Sequence, residues 1–377
     1  MIMKYETQVS QRISWIDNLK SFAIFLLFWG HCCGCFDFGN LFIVAWHMPL
    51  FVFASGYTSL GLKNKIQSWQ DVHQYILKLS LRLAVPCILY VFSSMAVGYA
   101  IQGRGGGRFL IVILLGSSSL LFSFLLYKNK INGIKRTILL YSIIPPCLLF
   151  TPIWYLPFMI EVLVTFAVIQ CVVYKYLGNS WVAFVSLYYV TMMIIPSPFH
   201  ATAEFVVIFL IAMFLSYKEN DLKSIYKRVG KPWLIISMFI IMALGFWAFI
   251  SYKSLNHQFY LSWWYSLLKD GDYTTYLLRQ VTIICFVPSI SFFVILFSGR
   301  YNWFSRYGSL TLGLYPLNCI YVVLFGKIFN AYEIYNTDHS QWWIVILYML
   351  SVLFASIITV ELFNHYRFTR FAFLGVK

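Results

Sequence analysis

The stretch WLIISMFIIMALGFWAFI, Trp233–Ile250, runs for 18 residues without one charge. Crossing the hydrocarbon core of a bilayer takes about 20 residues of helix. No water reaches that core to pair with backbone N–H and C=O groups, so a segment there must pair them internally, as a helix. Apolar blocks of similar length recur at Val281–Phe297 and at Trp342–Leu362, the latter with the single charge Glu361 near its end. Composition agrees over all 377 residues, which are 60% hydrophobic, 20% aromatic and only 11% charged. Soluble proteins carry about 25% charged residues, and so few charges cannot cover a water-facing surface. The expected fold is all-α, a polytopic transmembrane helical bundle forming one domain over residues 1–377.

Hydropathy marks twelve candidate spans: 19–36, 41–62, 83–101, 109–127, 137–150, 154–174, 181–195, 203–217, 233–250, 279–297, 309–329 and 342–362. The spans 137–150 and 181–195 are short for a crossing, and Pro145, Pro146 and Pro152 crowd the first of them. Counting basic residues on alternate sides places 22 of the 28 Lys and Arg on the side of the N-terminus and six on the other. That asymmetry is the positive-inside pattern. It predicts cytoplasmic termini, an outer turn at Asp37–Asn40, and a home in the inner or plasma membrane. A probe cysteine near Lys377, in a background without native cysteines, is expected to resist impermeant reagents in intact cells. Labelling there would overturn the orientation.

The same asymmetry accounts for a net charge of +15 without nucleic acid as a partner. No apolar core precedes Trp15, so no cleavable signal is expected. The eight cysteines lie within or beside apolar blocks, where thiols act as small hydrophobes. His31, Cys32, Cys33 and Cys35 match no common zinc spacing, and no metal is expected. The connection Ser251–Leu278 is rich in Tyr and Trp, which suits either anchoring at the headgroups or stacking against a sugar.

Ionisable residues inside membrane spans are costly and point to function. The first hairpin, Trp15–Tyr57, concentrates them. Asp17 and Asn18 suit the N-cap of the first helix, and Asp17 is equally a catalytic candidate. Lys20 and His31 are eleven residues apart, about three turns, so they share a face about 16 Å apart along the axis. His31 precedes the DFGN turn by six residues and His47 follows it by seven. In an antiparallel hairpin the two imidazoles then reach similar depth. Pro49 should kink the second helix beside His47. Lys78 and Arg82, four apart, share a helical face, either as an anchor or as a phosphate clamp suited to arginine geometry. Glu161, one turn beyond Trp154-Tyr155-Leu156-Pro157, is a partner for a basic group or a protonated carboxyl.

These residues resemble, in order, a known family of membrane acyltransferases, often called acyltransferase 3, and within it the fucose 4-O-acetylase-like branch. Lys20, ten residues and His31 resemble its first-helix motif, with Trp15-Ile16-Asp17-Asn18-Leu19 as the lead-in. His47-Met48-Pro49-Leu50-Phe51 and Ser55-Gly56-Tyr57 resemble its second helix. Lys78, Arg82-Leu83 and Pro86 resemble its third, and Trp154-Tyr155-Leu156 a later signature. Tyr307-Gly308-Ser309-Leu310-Thr311-Leu312-Gly313-Leu314-Tyr315 resembles a late one, after which many members carry a histidine where this chain has Asn318.

The resemblance implies about ten core spans and a membrane O-acyltransferase, moving an acyl group, expected to be acetyl from acetyl-CoA, onto a carbohydrate or glycolipid hydroxyl of the cell envelope. His31 would act as base, with His47 and Asp17 completing the catalytic set. Lys20, Lys78 and Arg82 would hold the phosphates of the acyl-CoA donor, and Glu161 and Trp154 would line the acceptor site. Membrane lipid would surround the protein. The competing expectation is a carrier of a lipid-linked sugar or polysaccharide, since many spans with buried ionisable groups suit transporters too.

Overall fold

A computed structural model describes residues 13–32, 37–63, 65–103, 106–131, 133–149, 155–194, 202–254, 273–297, 303–329 and 342–376. The described residues are helical throughout their regular structure, with no strand among them. The first four helices are α1 (Ser14–Cys32), α2 (Asp37–Lys63), α3 (Trp69–Leu79) and α4 (Val85–Ile101), with a π-turn (Ser80–Ala84) between the last two. Next come α5 (Gly107–Tyr127), α6 (Gly133–Leu149), α7 (Tyr155–Tyr176), α8 (Trp181–Ile194), α9 (Thr202–Tyr217), α10 (Glu219–Val229) and α11 (Lys231–Ser254). The series closes with α12 (Tyr273–Phe297), α13 (Trp303–Ser309), α14 (Thr311–Ile328), α15 (Trp342–His365) and α16 (Arg367–Leu374).

Seven described helical stretches are long and apolar enough to cross a membrane: Trp69–Ile101, Gly107–Tyr127, Tyr155–Tyr176, Lys231–Ser251, Leu277–Ile295, Thr311–Ile328 and Trp343–His365. Trp181–Ile194 and Phe205–Tyr217 are shorter apolar helices. The protein is therefore an all-α, multi-pass membrane bundle. Its apolar residues are sorted by what they face. The stretch Tyr155–Tyr176 is 72% buried, whereas Gly107–Tyr127 is 17% buried. Leu110, Ile111, Leu114 and Leu121 of α5 stay exposed, which is costly in water and natural against lipid tails.

The chain divides into two compact units. The first comprises Met1–Leu27, Leu41–Leu60 and Val207–Thr311. The second comprises Phe28–Asn40, Gly61–Val206 and Leu312–Lys377.

In the first unit α11 and α12 run antiparallel, with Phe239 edge-on to Phe293 at 5.4 Å between ring centroids. Gly245 permits the approach, because a Cβ there would lie 2.8 Å from Cys285 Cβ. Gly56, from the Ser55-Gly56-Tyr57 motif, lets α2 touch the backbone of α9, where a Cβ would overlap the Phe209 carbonyl. Small residues at such crossings allow the close helix contacts that hold membrane bundles.

In the second unit α3 is an amphipathic helix begun by a capping box. Ser68 Oγ accepts the Asp71 N–H at 3.2 Å, and Asp71 accepts the Ser68 N–H at 2.9 Å. Ser68-Trp69-Gln70-Asp71 is a sequence-legible signature for this start. The π-turn that follows has a chemical cause. Pro86 has no N–H to give the Arg82 carbonyl four residues earlier, and the Val85 N–H bonds to the Ser80 carbonyl instead. Gly375, the left-handed C-cap of α16 (φ 62°), packs against the Arg82 carbonyl, leaving no room for a Cβ.

Two local expectations are corrected. Helix α1 begins at Ser14, so Asp17 lies in its first turn rather than at the N-cap, and Asn18 is one residue further in. Asp17 still opposes the positive end of the helix dipole there. The segment Asp37–Asn40 is the first turn of α2 rather than a connection. His31 is consequently in the last turn of α1. His47 is ten residues into α2, about 15 Å from its start.

Candidate functional site

His31 is exposed at the C-terminal end of α1. Its Nδ1 lies 2.5 Å from Oδ1 of Asn318, which is fully buried in α14. Both residues belong to the second unit. Helix α14 is fixed at this level by its neighbours. Tyr315, one turn earlier, accepts the Tyr155 N–H of α7 on its hydroxyl at 3.4 Å, and its ring meets that of Tyr155 edge-on at 5.5 Å. Gly313 faces Leu374 of α16 and Val360 of α15 so closely that a Cβ would displace both. Asn318 Nδ2 is buried with no hydrogen-bond partner. Leaving such a group unsatisfied costs about 1–3 kcal/mol, so native proteins keep few of them.

A second cluster lies in the first unit, beneath α13. Asn18 and Asp17 are 2% and 7% exposed, so they work inside the protein rather than at its surface. Ser305 donates to Asn18 Oδ1 at 2.5 Å, and Ser21 donates to the Phe304 carbonyl at 2.5 Å. Gly308 sits directly on the Asp17 backbone, where a Cβ would overlap the carbonyl. Trp15 meets Tyr57 of α2 edge-on at 4.7 Å. The lead-in residues of α1 and the late Tyr307-Gly308-Ser309 signature are thus two halves of one packed junction.

His47 is 3% exposed and belongs to the first unit. Lys20 lies half-buried on α1. Lys78 closes α3 and Arg82 occupies the π-turn, both with exposed side chains. Glu161 is half-buried in α7, near enough to Tyr188 of α8 for their charges to interact. Tyr188 in turn donates to the Val162 carbonyl at 3.0 Å. Trp154 and most of the aromatic connection between α11 and α12 lie outside the described residues.

The family resemblance singled out both His31 and the position of Asn318, but nothing in the sequence brought the two together. Asn318 stands two residues after Pro316 in an apolar run, and a single buried amide has no periodic signal. The π-turn at Arg82 was equally unread, although Pro86 was visible. Chemically, an exposed imidazole whose Nδ1 meets an amide oxygen, at the end of a helix, is suited to moving a proton. Among the described residues no three His, Cys, Asp or Glu side chains converge as metal ligands would.

Residues 13–361 match the family described as Acyltransferase domain. Neither the curated proteins nor the solved structures contain a match to this chain.

Proposed function

This chain belongs to that acyltransferase family, and from that premise we propose that it is a membrane O-acetyltransferase of the fucose 4-O-acetylase-like branch, moving acetyl from acetyl-CoA to a hydroxyl of an envelope carbohydrate or glycolipid. The observation that carries the reading is the His31–Asn318 pair, an exposed imidazole with one nitrogen held by a buried amide. The acceptor hydroxyl oxygen attacks the thioester carbonyl carbon while His31 takes the hydroxyl proton. The carbon–sulfur bond breaks, and the departing thiolate receives that proton from His31. The products are the O-acetyl ester and free CoA thiol, with the imidazole neutral again.

The phosphates of CoA and its thiol lie at opposite ends of a long pantetheine arm. Lys20 is about 16 Å along α1 from His31, which suits a cation that holds the far end of the donor. Lys78 and Arg82 add exposed cations of the kind that grip phosphate. Glu161 and Trp154 are assigned to the acceptor, His47 to orienting the reacting groups, and Asp17 to holding the base of α1. Both termini face the cytoplasm in this reading, which puts the basic residues on the side where CoA is found.

The test is transfer of labelled acetyl from acetyl-CoA into the envelope glycan fraction by membranes containing the protein. Transfer is expected, and its absence with every envelope acceptor would favour a carrier. Arg82→Ala should raise the KM for acetyl-CoA by about tenfold, since a charge-assisted contact contributes about 1.5–3 kcal/mol. Arg82→Lys should recover only part, because the two-pronged fork is lost. An unchanged KM in a well-folded Arg82→Ala protein would make Arg82 an interfacial anchor.

A further inference from the structure

We infer that Asn318 is the positioning residue of the reaction, fixing His31 in the tautomer whose Nε2 carries the lone pair. The inference rests on the base role proposed for His31 and extends it to a residue on another helix. A carboxamide oxygen has no hydrogen to give. With Oδ1 facing Nδ1, the contact is a hydrogen bond when Nδ1 carries the ring proton, and that tautomer has its lone pair on Nε2. Which imidazole nitrogen is free is commonly set by the bond the other makes.

Three observations say that this amide serves the histidine rather than the fold. Asn318 is 0% exposed, so water does not satisfy it. Its Nδ2 is buried with no hydrogen-bond partner, so the amide does not tie α14 to a second element through that atom. Its bond reaches from α14 to the end of α1, 287 residues away in sequence, and lands on the one histidine of α1. A purely structural asparagine would satisfy both ends of its amide. The neighbouring Tyr315–Tyr155 contact and the tight packing at Gly313 hold the helix that carries it.

The experiment compares Asn318→Leu and Asn318→Asp at matched protein level in the labelled-acetyl assay. Leucine keeps the branched shape and removes the acceptor, so the ring loses its fixed tautomer. Its kcat should fall about 10–100-fold, by analogy with groups that orient metal-ligating histidines, with the KM for acetyl-CoA unchanged. Aspartate can only accept, so it keeps Nδ1 protonated. It should retain most of the wild-type kcat, and its negative charge should stabilise the imidazolium. The acid limb of the rate profile then moves to higher pH, because the base must be neutral to act. Wild-type kcat in Asn318→Leu would overturn the inference. So would an Asn318→Asp protein as impaired as the leucine variant, with an unmoved acid limb. If Asn318→Leu fails to accumulate, the aspartate variant decides alone: a kcat lowered about tenfold or more with an unmoved acid limb would overturn the inference. His31→Gln separates the two layers of the argument: its retention of activity defeats the base role itself, whereas its inactivity beside a normal Asn318→Leu defeats only the positioning role.

Discussion

His31→Gln is expected to lower acetyl transfer by about 10²–10⁴-fold, the range that a positioned general base contributes. Glutamine keeps much of the volume and a hydrogen-bonding end but cannot take up a proton near neutral pH. His31→Ala should be equally inactive. Neither change should disturb insertion, because the side chain is exposed at the end of α1 rather than packed in its middle. His47 is a contrasting case, 3% exposed within α2. Its replacement by Gln should leave partial activity if it orients the reacting groups. The measurement is labelled acetyl entering envelope glycan at equal protein level. Near-normal transfer by His31→Gln would remove the base from the mechanism. A protein that tolerated Gln but not Ala would be using His31 as a hydrogen-bonding ligand, as a carrier would.

Gly308→Ala is expected to abolish accumulation of folded protein. A Cβ at this position would fall onto the Asp17 carbonyl, with the Asp17 Cα also inside 3 Å. Those are backbone atoms of α1 and cannot rotate aside as a side chain can. Overpacking of a protein interior usually costs about 1–3 kcal/mol, and a collision with backbone lies at or beyond the top of that range. The junction also carries the Ser305–Asn18 and Ser21–Phe304 bonds, which would be pushed apart together. Gly61→Ala is the control, since nothing lies within 4 Å of a Cβ there. It should be neutral or gain about 0.5–1 kcal/mol from the reduced backbone freedom. Thermal melting and gel filtration of the detergent-solubilised proteins would read both. A Gly308→Ala protein melting with the wild type would show that α13 moves freely away from α1.

The unequal legibility of the chain has physical causes. Trp233–Ile250 announces a membrane helix because the cost of unpaired backbone groups in lipid depends on composition and length alone. Helix ends are subtler. DFGN, expected as an outer turn, forms the first turn of α2. Asp17 and Asn18 look like caps in isolation, but α1 starts earlier, at Ser14. The capping box at Ser68–Asp71 and the missing N–H of Pro86 are local chemistry, and both could have been read from the sequence.

Composition and segment length alone settle the helical class, through apolar blocks that must pair their own backbones, and the ordered motifs resemble an acyltransferase family whose match over residues 13–361 bears out that membership. Hydropathy and motif spacing are properties of short segments, so they survive without a fold. Which residues meet became visible only in the folded chain. Asn318 reaches His31, and Gly308 bears on Asp17, across separations of nearly 300 residues. No periodicity encodes such a meeting, because it depends on how helices cross, and crossings are set by the packing of every small and large side chain along them.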